Sequence, residues 1–364
     1  MKVSILGAGN SGLAMAAHLG HFGEEVTLWN RSKTTISKLM ETHTIHYEGI
    51  IEGSVEIASV TTDLKKAVED PDVILITTPA SSHKDLAEAI AKEIKRETLI
   101  VLNPGRTFGA LEFSEFYERH NDRYRQKIAE TQTIIYTCRK TGEDSVNIIS
   151  MKNNVLISTF DSYENNTVIS NLPKCTQEYF TPAESMIETS IGNVGMILHC
   201  APLLLNAGWT ESNIHDYKYY FNGISPSIAR FLEKVDDERI RVSRLLGTEV
   251  ESTKEWLKRT YNVRGNSLYE CVQNNKAYET IDAPDSLNHR YIFEDIPTGL
   301  VPLESAGRYL GLSMTNTSII IDLASALLNV DFRFRGRNLT TLFYDEGIDL
   351  QTFFRSDMDE TRPR

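Results

Sequence analysis

Short apolar runs alternate with amphipathic stretches along the first hundred residues. Residues 2–6, 25–29, 73–77 and 98–102 predict buried strands, and 13–19 and 84–95 carry helical spacing between them. Apolar strands alternating with helices predict a parallel, doubly wound α/β sheet whose ligands bind at the strands' carboxyl ends. Residues 133–137, 145–150 and 155–159, with 178–180 as a fourth candidate, lack intervening helices. They predict a mixed or antiparallel extension of the same sheet, with Lys152-Asn153-Asn154 as a hairpin turn. From Ala183 onward the pattern is helical, over 192–208, 227–235 with 238–246, 252–261, 267–273 and 316–328. The expected organisation is an α/β domain over 1–183, an all-α domain over 184–355, and a charged, disordered tail over 356–364.

The first strand runs into Gly7-Ala8-Gly9-Asn10-Ser11-Gly12 and then a helix. That is the setting in which a GxGxxG turn cradles a dinucleotide pyrophosphate: the glycines permit a tight turn and close approach, and the helix N-terminus meets the phosphates. The second strand ends in Asn30-Arg31-Ser32, where an NAD-preferring domain offers a carboxylate to the adenosine ribose. A missing acid, an added guanidinium and a small hydroxyl favour NADP(H), with NAD(H) as the alternative; Arg31 stacking on adenine or facing solvent is the plainer reading. Thr78-Pro79-Ala80 and Asn103-Pro104-Gly105 follow the next strands and should line the same cofactor edge, or serve as ordinary turns. Arg106 is a further candidate for a phosphate or the substrate.

Composition narrows the partners. The chain has 364 residues, enough for two domains, with 41% hydrophobic and 24% charged residues. Its formal net charge of −12 opposes nonspecific binding to nucleic acid or anionic membranes. No run is long enough to span a bilayer and the first strand leads directly into the glycine turn, so a cytoplasmic protein is expected. The four cysteines, Cys138, Cys175, Cys200 and Cys271, fit no zinc spacing, and no metal is expected.

Two segments of the second half concentrate chemistry. In Gly192-Asn193-Val194-Gly195-Met196-Ile197-Leu198-His199-Cys200-Ala201-Pro202, helical spacing puts Gly192, Gly195 and His199 on one face with room for a ligand. Pro202 should kink or interrupt the helix just beyond His199. The plainer alternative is a core histidine. Asn288-His289-Arg290-Tyr291-Ile292-Phe293-Glu294-Asp295-Ile296-Pro297-Thr298-Gly299-Leu300-Val301-Pro302 mixes charges with aromatics, which suggests an extended, partly buried segment whose charges are paired or meet a ligand.

These two segments together resemble the opine dehydrogenase family, the octopine and nopaline dehydrogenases and, most of all, the bacterial N-(1-carboxyethyl)-norvaline enzymes. The likeness extends through Asn103-Pro104-Gly105, Thr137-Cys138-Arg139, Leu203 to Gly208 and Tyr219 to Ser227. The chain departs from the family where Cys200 follows the histidine in place of proline, and in Asn30-Arg31-Ser32. The resemblance implies a Rossmann-type domain beside a helical domain similar to the 6-phosphogluconate dehydrogenase C-terminal domain, with substrate bound between them, and a homodimer.

It also implies a reaction. An amino acid's amine and a 2-oxo acid's carbonyl condense to an imine, which NAD(P)H reduces to a secondary-amine dicarboxylate. His199 is the expected proton donor. Asp295, with Glu294 competing, orients the imidazole and stabilises its cation. Arg290 holds a substrate carboxylate, which also supplies the local positive charge an acidic protein needs. Asn193 and Asn206 either touch substrate or bond backbone. His289 is expected to be structural, and His18, His83 and His215 to lie in packing or at the surface. Rival readings are a ketopantoate or glycerol-phosphate type reductase, which would use lysine where His199 stands, and a noncatalytic NAD(P)-sensing protein.

Overall fold

Twelve strands occur among the described residues, 1–212 and 216–339 of the computed structural model. They are β1 (Lys2–Leu6), β2 (Glu25–Trp29), β3 (Thr44–Gly49), β4 (Gly53–Glu56), β5 (Ser59–Thr61), β6 (Val73–Ile76), β7 (Leu99–Leu102), β8 (Lys127–Thr131), β9 (Tyr136–Lys140), β10 (Ser145–Met151), β11 (Val155–Thr159) and β12 (Phe180–Pro182). His215 and the segment 356–364 lie outside the described residues.

Eight strands form one sheet in the order β12-β11-β8-β7-β6-β1-β2-β5. From β5 to β8 every pairing is parallel, β11 joins β8 antiparallel, and β12 joins β11 parallel. The four-residue strands β6 and β7 are buried throughout, as uninterrupted apolar runs covered on both faces require. The mixed extension is therefore present, carried by β8, β11 and β12.

Two of the strands expected in that extension belong elsewhere. β9 and β10 form a separate four-stranded sheet with β3 and β4, in the order β4-β3-β10-β9. Lys152-Asn153-Asn154 is consequently a crossover between sheets and not a hairpin, with Asn154 in the left-handed region at φ 56°. Burial along β9 alternates, which is the mark of a sheet covered on one face only. That cover is helix α1 (Asn10–His21), which contacts β3, β4, β9 and β10 of the second sheet as well as β1 and β2 of the first. Enclosure on both sides explains a helix apolar all round: Gly12 through Leu19 are all buried. Burial of Leu13, Met15 and Leu19 contributes about 2 kcal/mol each. His18 is a packing residue, its Nδ1 3.0 Å from the Tyr136 hydroxyl, and burial pushes its pKa down to about 4. His83, at the start of helix α2 (His83–Glu93), is fully buried.

The first unit comprises Met1–Ser190. Helix α3 (Gly109–Glu118) follows β7, and the unit ends in helix α4 (Met186–Ser190). α4 packs on β8 and β11, and Thr189 Oγ1 donates to the buried Glu130 carboxylate at 2.9 Å. These contacts keep residues 184–190 with the sheet.

The second unit, from Ile191 onward, is built of helices: α5 (Gly195–Leu205), α6 (Pro226–Leu245), α7 (Thr253–Tyr261), α8 (Leu268–Gln273), α9 (Arg290–Phe293), α10 (Val301–Tyr309) and α11 (Thr315–Leu328). α6 is one continuous helix, N-capped by the Ser225 hydroxyl with Pro226 in its first turn. On its inner face, fully buried Arg239 donates to Asp236 at 2.8 Å, to the Ile191 carbonyl at 2.9 Å and to the Glu251 carbonyl at 2.6 Å. This fixes the backbone that leads into α5.

Candidate active site

Within the first unit, parallel pairing brings the carboxyl ends of β2, β1, β6 and β7 to one edge. There the expected cofactor residues meet. Gly7 N donates to the Trp29 carbonyl at 2.8 Å, Thr77 N to Leu6 at 2.9 Å, and Asn103 N to Ile76 at 2.8 Å. The Asn30 side chain accepts from Ala8 N at 3.1 Å, which ties the end of β2 to the glycine turn. Arg31 and Ser32 are exposed beside it. Asn10 turns away to the second sheet, where its Oδ1 accepts from Lys140 N at 2.9 Å. Asn103 donates to the Val101 carbonyl at 2.9 Å, and a Cβ on Gly105 would lie 2.1 Å from Glu130. Both residues shape the loop after β7.

The three motif glycines have separate reasons. Gly7 has φ +119°, and a Cβ on Gly12 would fall 1.8 Å from the Gly7 carbonyl oxygen. A Cβ on Gly9 would meet nothing within 4 Å. That open space, the N-terminus of α1 and a buried Thr78 hydroxyl with no hydrogen-bond partner among the described residues fit a pyrophosphate and its ribose. Gly9→Ala is thus expected to keep the melting temperature while raising the Kd of both NADPH and NADH about tenfold. Gly12→Ala is expected to lower the melting temperature by several degrees, since the turn itself must open. Thermal melts with cofactor titration check both.

In the second unit, α5 carries His199. Gly192 and Asn193 precede the helix, so the expected one-face alignment of Gly192 with His199 does not occur; the Asn193 Oδ1 accepts from Gly195 N at 3.1 Å and begins the helix. Pro202 does not interrupt α5, which runs to Leu205. Proline removes the donor that would satisfy the Leu198 carbonyl, and one residue on, the Tyr219 hydroxyl donates to the His199 carbonyl. Both amide hydrogens of Asn206 are engaged by the Pro202 carbonyl at 2.7 Å and the Gly223 carbonyl at 2.9 Å.

The 288–302 segment is helical and not extended. His289 Nδ1 accepts from Tyr291 N at 3.3 Å and caps α9, a structural role that burial supports by lowering its pKa. A π-helical turn, Ile296–Leu300, joins α9 to α10. A Cβ on Gly299 would lie 2.7 Å from Met196 Cβ, so glycine is what lets this turn approach α5.

That approach brings His199 Nδ1 within 2.8 Å of Asp295 Oδ2, across 96 residues of sequence. Asp295 is fully buried, while the His199 side chain keeps 19% exposure. Glu294 pairs instead with Arg290, Nη2 to Oε2 at 3.1 Å, and the Arg290 side chain is 60% exposed. The Tyr291 ring stacks on the imidazole at 4.1 Å and 12°, and the Cys200 thiol donates to the Tyr291 carbonyl at 3.3 Å. The thiol therefore ties α5 to α9. Tyr291 and Tyr219 were not singled out by sequence; the cluster Tyr217, Tyr219, Tyr220 and Tyr291 is the signal that could have marked them.

A histidine held through Nδ1 by a buried carboxylate is chemically able to transfer protons. Residues 182–328 match the family model described as NAD/NADP octopine/nopaline dehydrogenase, alpha-helical domain, and residues 2–106 match that of the NAD-dependent glycerol-3-phosphate dehydrogenase N-terminus. An opine dehydrogenase of Arthrobacter sp. (strain 1C) is 36% identical over 340 residues, 93% of this chain and 94% of the relative. Among solved structures, octopine dehydrogenase with NADH and L-arginine superposes with TM-score 0.78 at 18% identity over 100% of both chains. Yersinopine dehydrogenase with NADP+ bound gives 0.76 at 14% identity over 98% of both.

Proposed function

This chain belongs to the opine dehydrogenase family, NAD(P)-dependent oxidoreductases acting on the CH–NH group of donors, and we propose that His199, Asp295 and Arg290 carry its chemistry. The reaction condenses the amine of an L-amino acid with a pyruvate-like 2-oxo acid, releasing water, and reduces the imine to a secondary-amine dicarboxylate. The bound reduced dinucleotide supplies the hydride. The observation that supports the residue roles best is the His199–Asp295 hydrogen bond.

Asp295 accepts from Nδ1–H and so leaves Nε2 as the nitrogen that handles substrate protons. In the reductive direction the imidazolium gives its one proton to the carbonyl-derived hydroxyl, which leaves as water while the nitrogen keeps its hydrogen as an iminium, so that hydride alone completes the secondary amine. In the oxidative direction the neutral imidazole takes the proton back. Arg290, whose side chain is 60% exposed, offers a planar fork to a substrate carboxylate. Its Glu294 partner is only 11% exposed, so the guanidinium keeps that ion pair and meets the substrate with its remaining donors. Asn193 stands at the start of the same helix as His199, close to Gly299, where its Oδ1 accepts from Gly195 N at 3.1 Å.

NADP(H) is the preferred cofactor in this reading, through Asn30, Arg31 and Ser32; comparison of kcat/KM for NADPH and NADH decides it, and a clear NADH preference would overturn it. The enzyme is proposed to work as a cytoplasmic homodimer, and a sedimentation measurement showing only monomer would remove that part. No helix among the described residues is long and apolar enough to cross a membrane. The whole reading is tested by NADPH or NADH oxidation screened over pairs of oxo acids and amines, with mass detection of the product. Oxidation without an added amine, or no turnover with any pair, would sink it. Arg290→Lys should raise the KM of the oxo acid about tenfold with a smaller change in kcat, because a point charge cannot reproduce the fork. An unchanged KM would move the carboxylate site elsewhere.

A further inference from the structure

Strand β9 lies along α1 and ends beside the glycine turn. Its inward positions touch the helix in order: Tyr136 hydroxyl against His18, the Cys138 thiol donating to the Asn10 carbonyl at 3.4 Å, and Lys140 N to Asn10 Oδ1 at 2.9 Å. The Thr137 and Arg139 side chains, between them, are exposed. The last inward side chain, Lys140, reaches beyond the helix. Its Nζ donates to the Ala8 carbonyl at 3.4 Å and to the Thr35 carbonyl at 3.3 Å.

These two carbonyls belong to different parts of a dinucleotide site. Ala8 is in the turn that meets the pyrophosphate, and Thr35 closes the loop that follows β2 and holds Arg31 and Ser32. The ribose joined to adenine must lie between such elements, because its 5′ side leads to the pyrophosphate and its 2′ side faces the end of β2. An ammonium has three donors, and two neutral carbonyls orient the group without neutralising it. Glu143 and Asp144 act on it through space, but neither pairs with it directly among the described residues: Asp144 is taken by Lys38 at 2.8 Å, and the Glu143 carboxylate accepts from the Ser37 hydroxyl at 3.2 Å. Burial lowers the Lys140 pKa, as expected for a cation held partly out of water. A partly desolvated positive charge in a protein of net charge −12 calls for an anionic ligand.

We propose that Lys140 is a cofactor-specificity residue, supplying together with Arg31 the cationic site for the 2′-phosphate of NADP(H). This rests on the NADP(H) preference proposed above and adds to it a residue from outside the Rossmann strands, placed by the second sheet. The test is binding and not turnover: Kd values by quenching of tryptophan fluorescence for NADPH, NADH, 2′,5′-ADP and 5′-AMP, on wild type, Lys140→Met, Lys140→Gln and Lys140→Arg, with thermal melts of each unliganded protein.

Lys140→Met and Lys140→Gln should raise the Kd of NADPH and 2′,5′-ADP about tenfold, leave NADH and 5′-AMP within about twofold, and melt near wild type, while Lys140→Arg retains most of the affinity. Equal weakening of all four ligands would make Lys140 a brace of the turn, and unchanged affinities would leave it without a role in binding; either overturns the proposal. If wild type itself binds 2′,5′-ADP no better than 5′-AMP, the NADP(H) preference fails before any variant is made, and this proposal falls with it. Wild-type preference that persists in the variants overturns Lys140 alone.

Discussion

His199→Asn should lower kcat on the order of 10²-fold or more, with the Kd of the dinucleotide unchanged. The asparagine amide takes the place of the Nδ1–H donor toward Asp295, whose Oδ2 lies 2.8 Å from that nitrogen. It has no group at the position of Nε2 and cannot transfer a proton there. Asparagine is preferable to alanine because alanine would remove a partner from a fully buried carboxylate, a loss on the order of 3–5 kcal/mol that could be mistaken for a catalytic effect. Steady-state kinetics in both directions, with a thermal melt, make the check. Turnover within a few-fold of wild type would refute the proton-transfer role.

Asp295→Asn should also lower kcat by about 10²-fold, through a different cause. An amide can donate to Nδ1 and so select the tautomer that carries its proton on Nε2, and it cannot stabilise an imidazolium by opposite charge. Volume and shape are conserved, so the melting temperature should stay close to wild type. Glu294→Gln is the control: it alters the largely buried partner of Arg290 and should affect the KM of the oxo acid more than kcat. If Glu294→Gln were the more damaging of the two for kcat, the orienting role would have to pass to that residue.

The competition between residues 294 and 295 shows where sequence reading stops. Both are acids in one segment that carries charges beside aromatics, and an extended chain would send them to opposite sides. The segment is helical, and neighbouring positions on a helix point about 100° apart. Which of them faces His199 depends on the rotational phase of α9 and the π-helical turn. That phase is set by contacts remote in sequence: Gly299 against Met196, Tyr291 against the imidazole, and Phe293 against Phe332 at 5.6 Å. The alternating pattern of 136–140 likewise reveals a strand with one covered face but not which sheet it joins, and here it joins the one that covers α1.

By itself, the sequence determined the parallel core of the first unit, the glycine turn, the helical second unit and the histidine and arginine with their neighbouring acids. Each of these rests on local regularities: apolar period, glycine spacing, proline and charge within a short window. The tertiary structure alone decided that Asp295 and not Glu294 meets His199, that Gly192 stands outside the helix, that Asn206 binds backbone, and that Lys140 reaches the cofactor edge. Those outcomes depend on register and rotation between elements up to 132 residues apart, and pairings at that distance leave no periodic trace along the chain.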